Sequence, residues 1–375
     1  MKVFMNKKYF LSVFFFLFSF ISMKGQDFTI KIPSNIPDKM VYIKDYFTTI
    51  NYLPLETTDE CLIGSLARYN IIEDYILVTS NDHCYLFNLS NGKFIREIGK
   101  RGNGPGEYRS GQGYYNPYSK TIYFPDWNSG FLKYSLEGKL LSKITIPEHS
   151  SSLEYPSFAT TFSFISEDLI CAFFLNINGA ESKRVMIFSE SGEIIKLFPN
   201  NRIIKTNASV ISIGRDNFYR NNNKLFFKEE FVDTVYTVTK EKLSPAYIID
   251  QGKFKIKYEN RYDNPFKFQP VTLIMENNNY VILQWITYGE KCYTIYDKNN
   301  NICNSYVAKE GFIDNINNFM PFLPTTVSYD GAFVSILEAF KVVEVLEKNK
   351  MKNNPGLAPL LKVNEYDNPI LIIAR

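Results

Sequence analysis

Histidine is almost missing from this sequence: 375 residues hold two, His83 and His149. They are too far apart to form one zinc-binding run, and no H-E-x-x-H occurs. The five cysteines, Cys61, Cys84, Cys171, Cys292 and Cys303, include no C-x-x-C pair, which excludes the common zinc and dithiol redox motifs. Their odd number leaves at least one thiol unpaired within the chain, and a chain of this length buries enough core to fold without disulfides. There is no G-x-S-x-G nucleophile elbow and no Gly-Lys-Ser/Thr phosphate loop. Long basic runs are also lacking, so nothing points to nucleic acid. No catalytic residue, metal or cofactor is assigned.

One long apolar run exists, Phe10 to Ile21, twelve residues behind Lys2, Lys7 and Lys8. It is shorter than the roughly 20 residues that span a bilayer. With the small residues Ser22 and Gly25 after it, it reads as a secretory signal over residues 1–25, with an uncleaved anchor as the alternative. The first cysteine is Cys61, which argues against a lipoprotein. Removing residues 1–25 takes away four lysines and no acid, leaving 38 basic against 39 acidic residues. The expected product is a near-neutral monomer of residues 26–375, exported to the periplasm or beyond, with no later membrane-spanning run.

What is abundant is aromatic and β-branched, with 32 Phe and 26 Tyr, residues suited to pleated, half-buried surfaces. The chain also repeats. Residues 75–99 align on residues 121–145 at a constant offset of 46, matching Ile76/Ile122, Leu86/Leu132, Gly92/Gly138, Lys93/Lys139 and Ile98/Ile144. Each copy is strand, polar break, strand, Gly-containing turn, strand. That period fits a four-stranded propeller blade of about 40–50 residues. Similar units cover about 62–99, 108–146, 156–199, 209–251 and 267–308. A sixth has strands only at 318–337 and 368–374, and residues 42–53 are available to complete it. The spacing therefore predicts an all-β, six-bladed β-propeller, one domain, closed by pairing N- and C-terminal strands. One short helix is expected within 337–351, with Leu337, Phe340 and Val343 on its apolar rhythm and Asn354-Pro355-Gly356 as its stop.

At Gly99-Lys-Arg-Gly-Asn-Gly-Pro-Gly-Glu-Tyr108 the chain resembles a family of exported six-bladed propellers of unassigned function from Bacteroides-type bacteria, distantly related to NHL-repeat and TolB-like propellers. Leu53-Pro54-Leu55-Glu56-Thr57, Ile63-Gly64, Gly92-Lys93-Phe94-Ile95, Asp233-Thr234-Val235-Tyr236, Tyr329-Asp330-Gly331 and Asp367-Asn368-Pro369 carry the resemblance across the chain. It implies fold and export, and it implies no ligand or reaction.

The glycine-rich loop reads as a connector between blades, with Glu107 accepting backbone N–H bonds within it. Blade connections often line a channel mouth, which makes Arg101, Glu107 and Arg109 candidate binding residues, together with Asp126, Trp127 and Arg215. Trp127 in a strand-end turn is suited to stacking on a sugar or anchoring a partner, while Trp285 reads as packing between blades. His83 reads as structural. Asp82, Asp126 and Asp216 offer hard oxygens for calcium, but aspartates at strand ends serve more often in turns. Asp233-Thr234-Val235 matches an O-glycosylation acceptor pattern but reads more simply as part of the third strand of blade 4. The leading expectation is a non-enzymatic binding or scaffold propeller that engages a glycan, peptide or envelope protein at one channel mouth. The alternatives are a propeller-type hydrolase or lyase, or a purely structural envelope subunit.

Overall fold

Strands whose alternate residues are all apolar need a partner on both faces, and the chain meets that need by stacking six antiparallel sheets in a ring. The computed structural model describes residues 28–375 apart from 127–129, 148–158, 177–178, 204–217, 261–262, 264–268, 308–309 and 350–353. Blade 1 runs outward through Arg68–Ile72, Tyr75–Ser80, His83–Asn88 and Phe94–Glu97. Blade 2 follows with Tyr114–Asn116, Thr121–Asp126, Gly130–Ser135 and Leu140–Thr145, and blade 3 with Ala159–Phe164, Leu169–Phe174, Lys183–Ser189 and Ile194–Pro199. Blade 4 consists of Phe218–Asn221, Lys224–Lys228, Thr234–Val238 and Leu243–Asp250. Blade 5 consists of Gln269–Glu276, Tyr280–Thr287, Glu290–Asp297 and Ile302–Val307. The predicted units and the turn glycines hold: Gly92 and Gly138 sit at φ +70° and +81°, where a Cβ is strained.

The core is six clusters, one in each seam between neighbouring blades. In strand Tyr75–Ser80, Ile76 and Val78 pack towards blade 6 while Leu77 packs towards blade 2. In Ile370–Ala374, Ile370 and Ile372 face blade 5 while Leu371 and Ile373 face blade 1. Trp285 is buried in the seam of blades 4 and 5, where its indole N–H donates to Thr294 at 3.0 Å. Thr234–Val238 is the third strand of blade 4.

Blade 6 closes the ring as expected: Thr326–Val327, Phe333–Leu337 and Ile370–Ala374 take Ile50–Pro54 as their outermost strand. The register runs antiparallel from Ile50↔Ala374 to Pro54↔Ile370. The closing strand is shorter than 42–53, because Ile43–Asp45 makes a 3-10 turn that sinks Ile43 and Phe47 into the seam of blades 5 and 6. The segments that carry the family resemblance meet here. Asn368 accepts from the Ile63 N–H (2.9 Å) and donates to the carbonyls of Glu56 (2.7 Å) and Cys61 (2.8 Å). Glu56 in turn accepts from Lys93 Nζ (2.7 Å) and the Phe94 N–H (2.9 Å).

One strand has no counterpart in the repeat. Phe28–Lys31 adds in parallel to the outer edge of blade 4, making it five-stranded. The chain then runs past blade 5, where the Val307 N–H reaches the Pro37 carbonyl at 3.2 Å, before entering blade 6. The first described residues thus form a strap over successive blade edges, which shields unpaired strand groups.

The link between the second and third strands of blade 6 carries helix α1 (Ala339–Asn349) and a 3-10 helix (Pro355–Lys362) capped by Asn354. The inward face of α1 differs from the expected one. Ala339 and Val342 are buried while Phe340 is half exposed, with Lys341 Nζ 5.6 Å from its ring centre. The blade's own second strand sets the entry phase of the helix, so the face one residue earlier turns to the core.

Candidate ligand-binding channel

The innermost strands surround a channel of about 1240 Å³. Each blade sends its first-to-second and third-to-fourth turns to one face, here the turn face. The second-to-third turns and the longer links to the next blade lie on the opposite, loop face. The two mouths are chemically unlike.

At the turn face, side chains stitch one blade to the next. Glu73 of blade 1 accepts from Tyr115 (3.0 Å) and Lys120 (2.9 Å) of blade 2. Asn116 of blade 2 donates to the Ser166 and Glu167 carbonyls of blade 3 at 3.2 and 3.0 Å. Arg220 of blade 4 reaches back to the Phe164 carbonyl. Asn221 donates to Glu276 (3.2 Å), and Asn277 donates to the Gly331 carbonyl of blade 6 (2.8 Å). Glu276 is buried and saturated: Tyr219 (2.7 Å), Tyr247 (3.3 Å) and Lys298 (2.6 Å) also donate to it. A carboxylate held this way neutralises the half-buried Lys298 ammonium and is not free as a general base. Asp330 pairs with Arg375 at 2.7 Å. Tyr329 lies over this mouth, its hydroxyl 3.4 Å from Asn223 of blade 4, and it acts electrostatically on Tyr115 and Lys120 of blade 2.

At the loop face the wall carries Arg68 at the head of blade 1's first strand and Glu338 just past blade 6's second strand. Lys228 and Glu230 stand on blade 4. The side chains of Arg68 and Glu338 make no hydrogen bond or ion pair among the described residues. Lys228 Nζ donates to the Glu229 carbonyl at 2.8 Å. The residue keeps some exposure, yet desolvation lowers its ammonium pKa to about 8; Glu229, Asp233 and Glu230 oppose that shift and Arg202 adds to it. Between the mouths the wall mixes Tyr69, Tyr114 and Phe162 with Gln112, Ser163 and Thr272.

Of the residues singled out in the sequence, Arg101, Glu107, Arg109 and Asp126 lie on the loop face but outside the channel wall. Arg101 pairs with Asp82 at 3.1 Å. Glu107 accepts from the Gly104 N–H at 2.8 Å, holding the glycine loop as expected, and a Cβ on Gly102 would stand 1.9 Å from its carboxylate. Arg109 is exposed, and Asp126 ends the second strand of blade 2 half-buried. Trp127, Arg215, Asp216 and His149 fall outside the described residues. His83 Nδ1–H donates to the Glu97 carboxylate at 2.7 Å, and its ring stacks on Tyr85. Tyr108, which ends the glycine loop, stacks on Phe124 with 4.4 Å between ring centres. The wall residues Arg68, Lys228, Glu230 and Glu338 were missed. Their shared signal is positional: each sits at the loop-face end of a blade's first or second strand.

All five cysteine thiols are unpaired. Among the described residues no cluster of three His, Cys, Asp or Glu is placed to hold a metal. No described helix is long and apolar enough to cross a membrane.

The family model of a domain of unknown function, DUF4934, matches residues 27–375. The chain is similar in fold to a crystal structure from Bacteroides fragilis NCTC 9343 that is named as an exported protein: TM-score 0.66 and 18% identity over 93% of this chain and 98% of that one. It is also similar to a member of the DUF4221 family from Bacteroides vulgatus ATCC 8482, with TM-score 0.56 and 12% identity over 88% and 96% of the two chains. At such identities the likeness concerns the fold. No curated protein matches the chain in sequence.

Proposed function

From a chain that belongs to the DUF4934 family of domains of unknown function, we propose an exported, non-enzymatic binding propeller that takes a peptide, glycan or protein segment into its channel from the loop face. The observation that carries this reading is the contrast in charge use. The turn-face ions of the wall are bonded, whereas Arg68 and Glu338 stand unpartnered at the other end. Charges without protein partners at a channel mouth are available to a ligand. Export is supported by the residues 10–21 run and by the name of the Bacteroides fragilis structure. Arg101, Arg109, Asp126, Trp127 and Arg215 are proposed as outer contacts, with Glu107 supporting the loop that presents the first two.

A thermal-shift screen of residues 26–375 against glycans, peptides and divalent cations tests this. A ligand at a hundred times its Kd stabilises the folded state by about 2.7 kcal/mol. The shift should vanish in an Arg68→Ala, Glu338→Ala double variant, and a shift indifferent to those changes would place the site elsewhere. One observation favours the second reading, a lyase or hydrolase: Lys228, with its pKa lowered to about 8, is tuned as a base would be. Turnover that Lys228→Met abolishes would establish it.

A further inference from the structure

The loop-face mouth presents charge of both signs on two facing walls. Arg68 and Glu338 belong to adjoining blades 1 and 6, and blade 4, across the ring, contributes Lys228 and Glu230. Opposite charges on neighbouring blades attract, yet Arg68 and Glu338 do not pair, and no other described residue takes either side chain. Both residues line the channel, Arg68 at the head of blade 1's first strand and Glu338 just past the second strand of neighbouring blade 6.

This arrangement discriminates among ligands by charge. A purely anionic ligand would meet Glu230 and Glu338, and a purely cationic one would meet Arg68 and Lys228. Either would lose through repulsion much of what it gained by attraction. A neutral saccharide would desolvate Arg68 and Glu338 without replacing their water by ionic partners. A ligand with one charge of each sign satisfies both. Guanidinium is a planar fork that binds carboxylate through two parallel bonds, and Glu338 is an acceptor for an ammonium group.

Resting on the channel-binding reading, we propose that the loop-face mouth binds short peptides with both ends free, the carboxylate on Arg68 and the ammonium on Glu338. The channel's mixed polar and apolar wall and its volume of about 1240 Å³ leave room for the residues between and beside those ends.

The test is ligand-observed saturation-transfer NMR on residues 26–375. The probes are a pool of Ala-Xaa dipeptides, the same pool N-acetylated, the same pool C-amidated, and maltotriose as a neutral sugar. The free-ended pool should give saturable signal, and blocking either end should weaken binding by about tenfold or more. Arg68→Gln should make the free and amidated pools equal, and Glu338→Gln should do the same for the free and acetylated pools. Neither side chain holds up the fold, so unchanged melting temperatures confirm that the variants are folded. Equal binding of blocked and free pools, or no saturable signal from the free pool, overturns the proposal. If maltotriose binds instead and loses its signal in the double variant, the channel reading stands while this one falls. If neither dipeptides nor sugars depend on the channel, both fall.

Discussion

The two mouths of the channel are made from the same strands yet obey different rules. On the turn face the connections are short, so a side chain at the end of one blade reaches the backbone of the next, as Asn116, Asn221 and Asn277 do. On the loop face the links are longer, reaching from 98 to 113 between blades 1 and 2 and from 338 to 369 within blade 6, and among the described residues the side chains of Arg68 and Glu338 find no hydrogen-bond or ion-pair partner. Stability is concentrated where backbone groups must be satisfied, and recognition where they need not be.

The third strand of blade 6, Ile370–Ala374, ties both ends of this comparison and should give the largest effect. Just past it the Arg375 carbonyl accepts from the Thr48 and Thr49 N–H groups at the turn face, while Asn368, just before it, anchors the loop face. Deleting residues 366–375 removes Ile370, Leu371, Ile372 and Ile373 from two seams. At about 1.5–3 kcal/mol for each buried side chain, the loss approaches the whole stability of a typical domain. Denaturant unfolding should find no cooperative folded monomer.

Removing Glu276 tests the stitched mouth alone. Glu276→Ala removes the carboxylate that pairs with Lys298 and takes one acceptor from each of two tyrosine hydroxyls, and should cost about 3–5 kcal/mol by urea denaturation. Asn277→Ala breaks one bond to the Gly331 carbonyl and should cost about 1–2 kcal/mol. Neither change should alter ligand selectivity at the opposite mouth.

Lys228 supplies a pH signature of the loop face. Its folded pKa, about 8, lies below the ordinary 10.5, so between those values the unfolded chain binds more protons. Stability therefore rises with pH across that window, and the charging cost is fully present below it. Because solvent still reaches the side chain, the difference between the native chain and Lys228→Met should amount to about 1 kcal/mol at most. Chemical denaturation from pH 7 to 10.5 reads it directly. The smallest effects belong to Arg68→Ala and Glu338→Ala, each within about 0.5 kcal/mol of the parent. A loss as large as that of Asn277→Ala would erase the distinction between the mouths.

The ring was legible in the sequence because its period is written twice without a gap, at Ile76/Ile122 and again at Ile98/Ile144, and all four side chains are buried. The strand at Phe28–Lys31 was not, since four residues that pair in parallel carry neither a hairpin turn nor a repeat partner. The wall was hidden for another reason. Lys228-Glu229-Glu230 reads as an ordinary solvated turn, and Glu338 as the start of a helix. Only the ring brings them to one opening with Arg68. The glycine loop attracted attention through its composition, but its Glu107 and Tyr108 are spent on holding the loop and packing the seam of blades 1 and 2.

The direct test of an open loop face and a stitched turn face is the route by which a reagent enters. Thr272, on the innermost strand of blade 5, lines the channel and can be changed to cysteine. Background reaction is low: Cys61 is fully buried, desolvation raises the Cys84 and Cys171 thiols, and desolvation raises Cys292 and Cys303 to about 11. The rate of maleimide labelling of Thr272→Cys is then compared with Ser65→Trp added at the loop face and with Tyr329→Ala added at the turn face. The account predicts that Ser65→Trp slows labelling and Tyr329→Ala leaves it unchanged. Faster labelling with Tyr329→Ala and indifference to Ser65→Trp would contradict it.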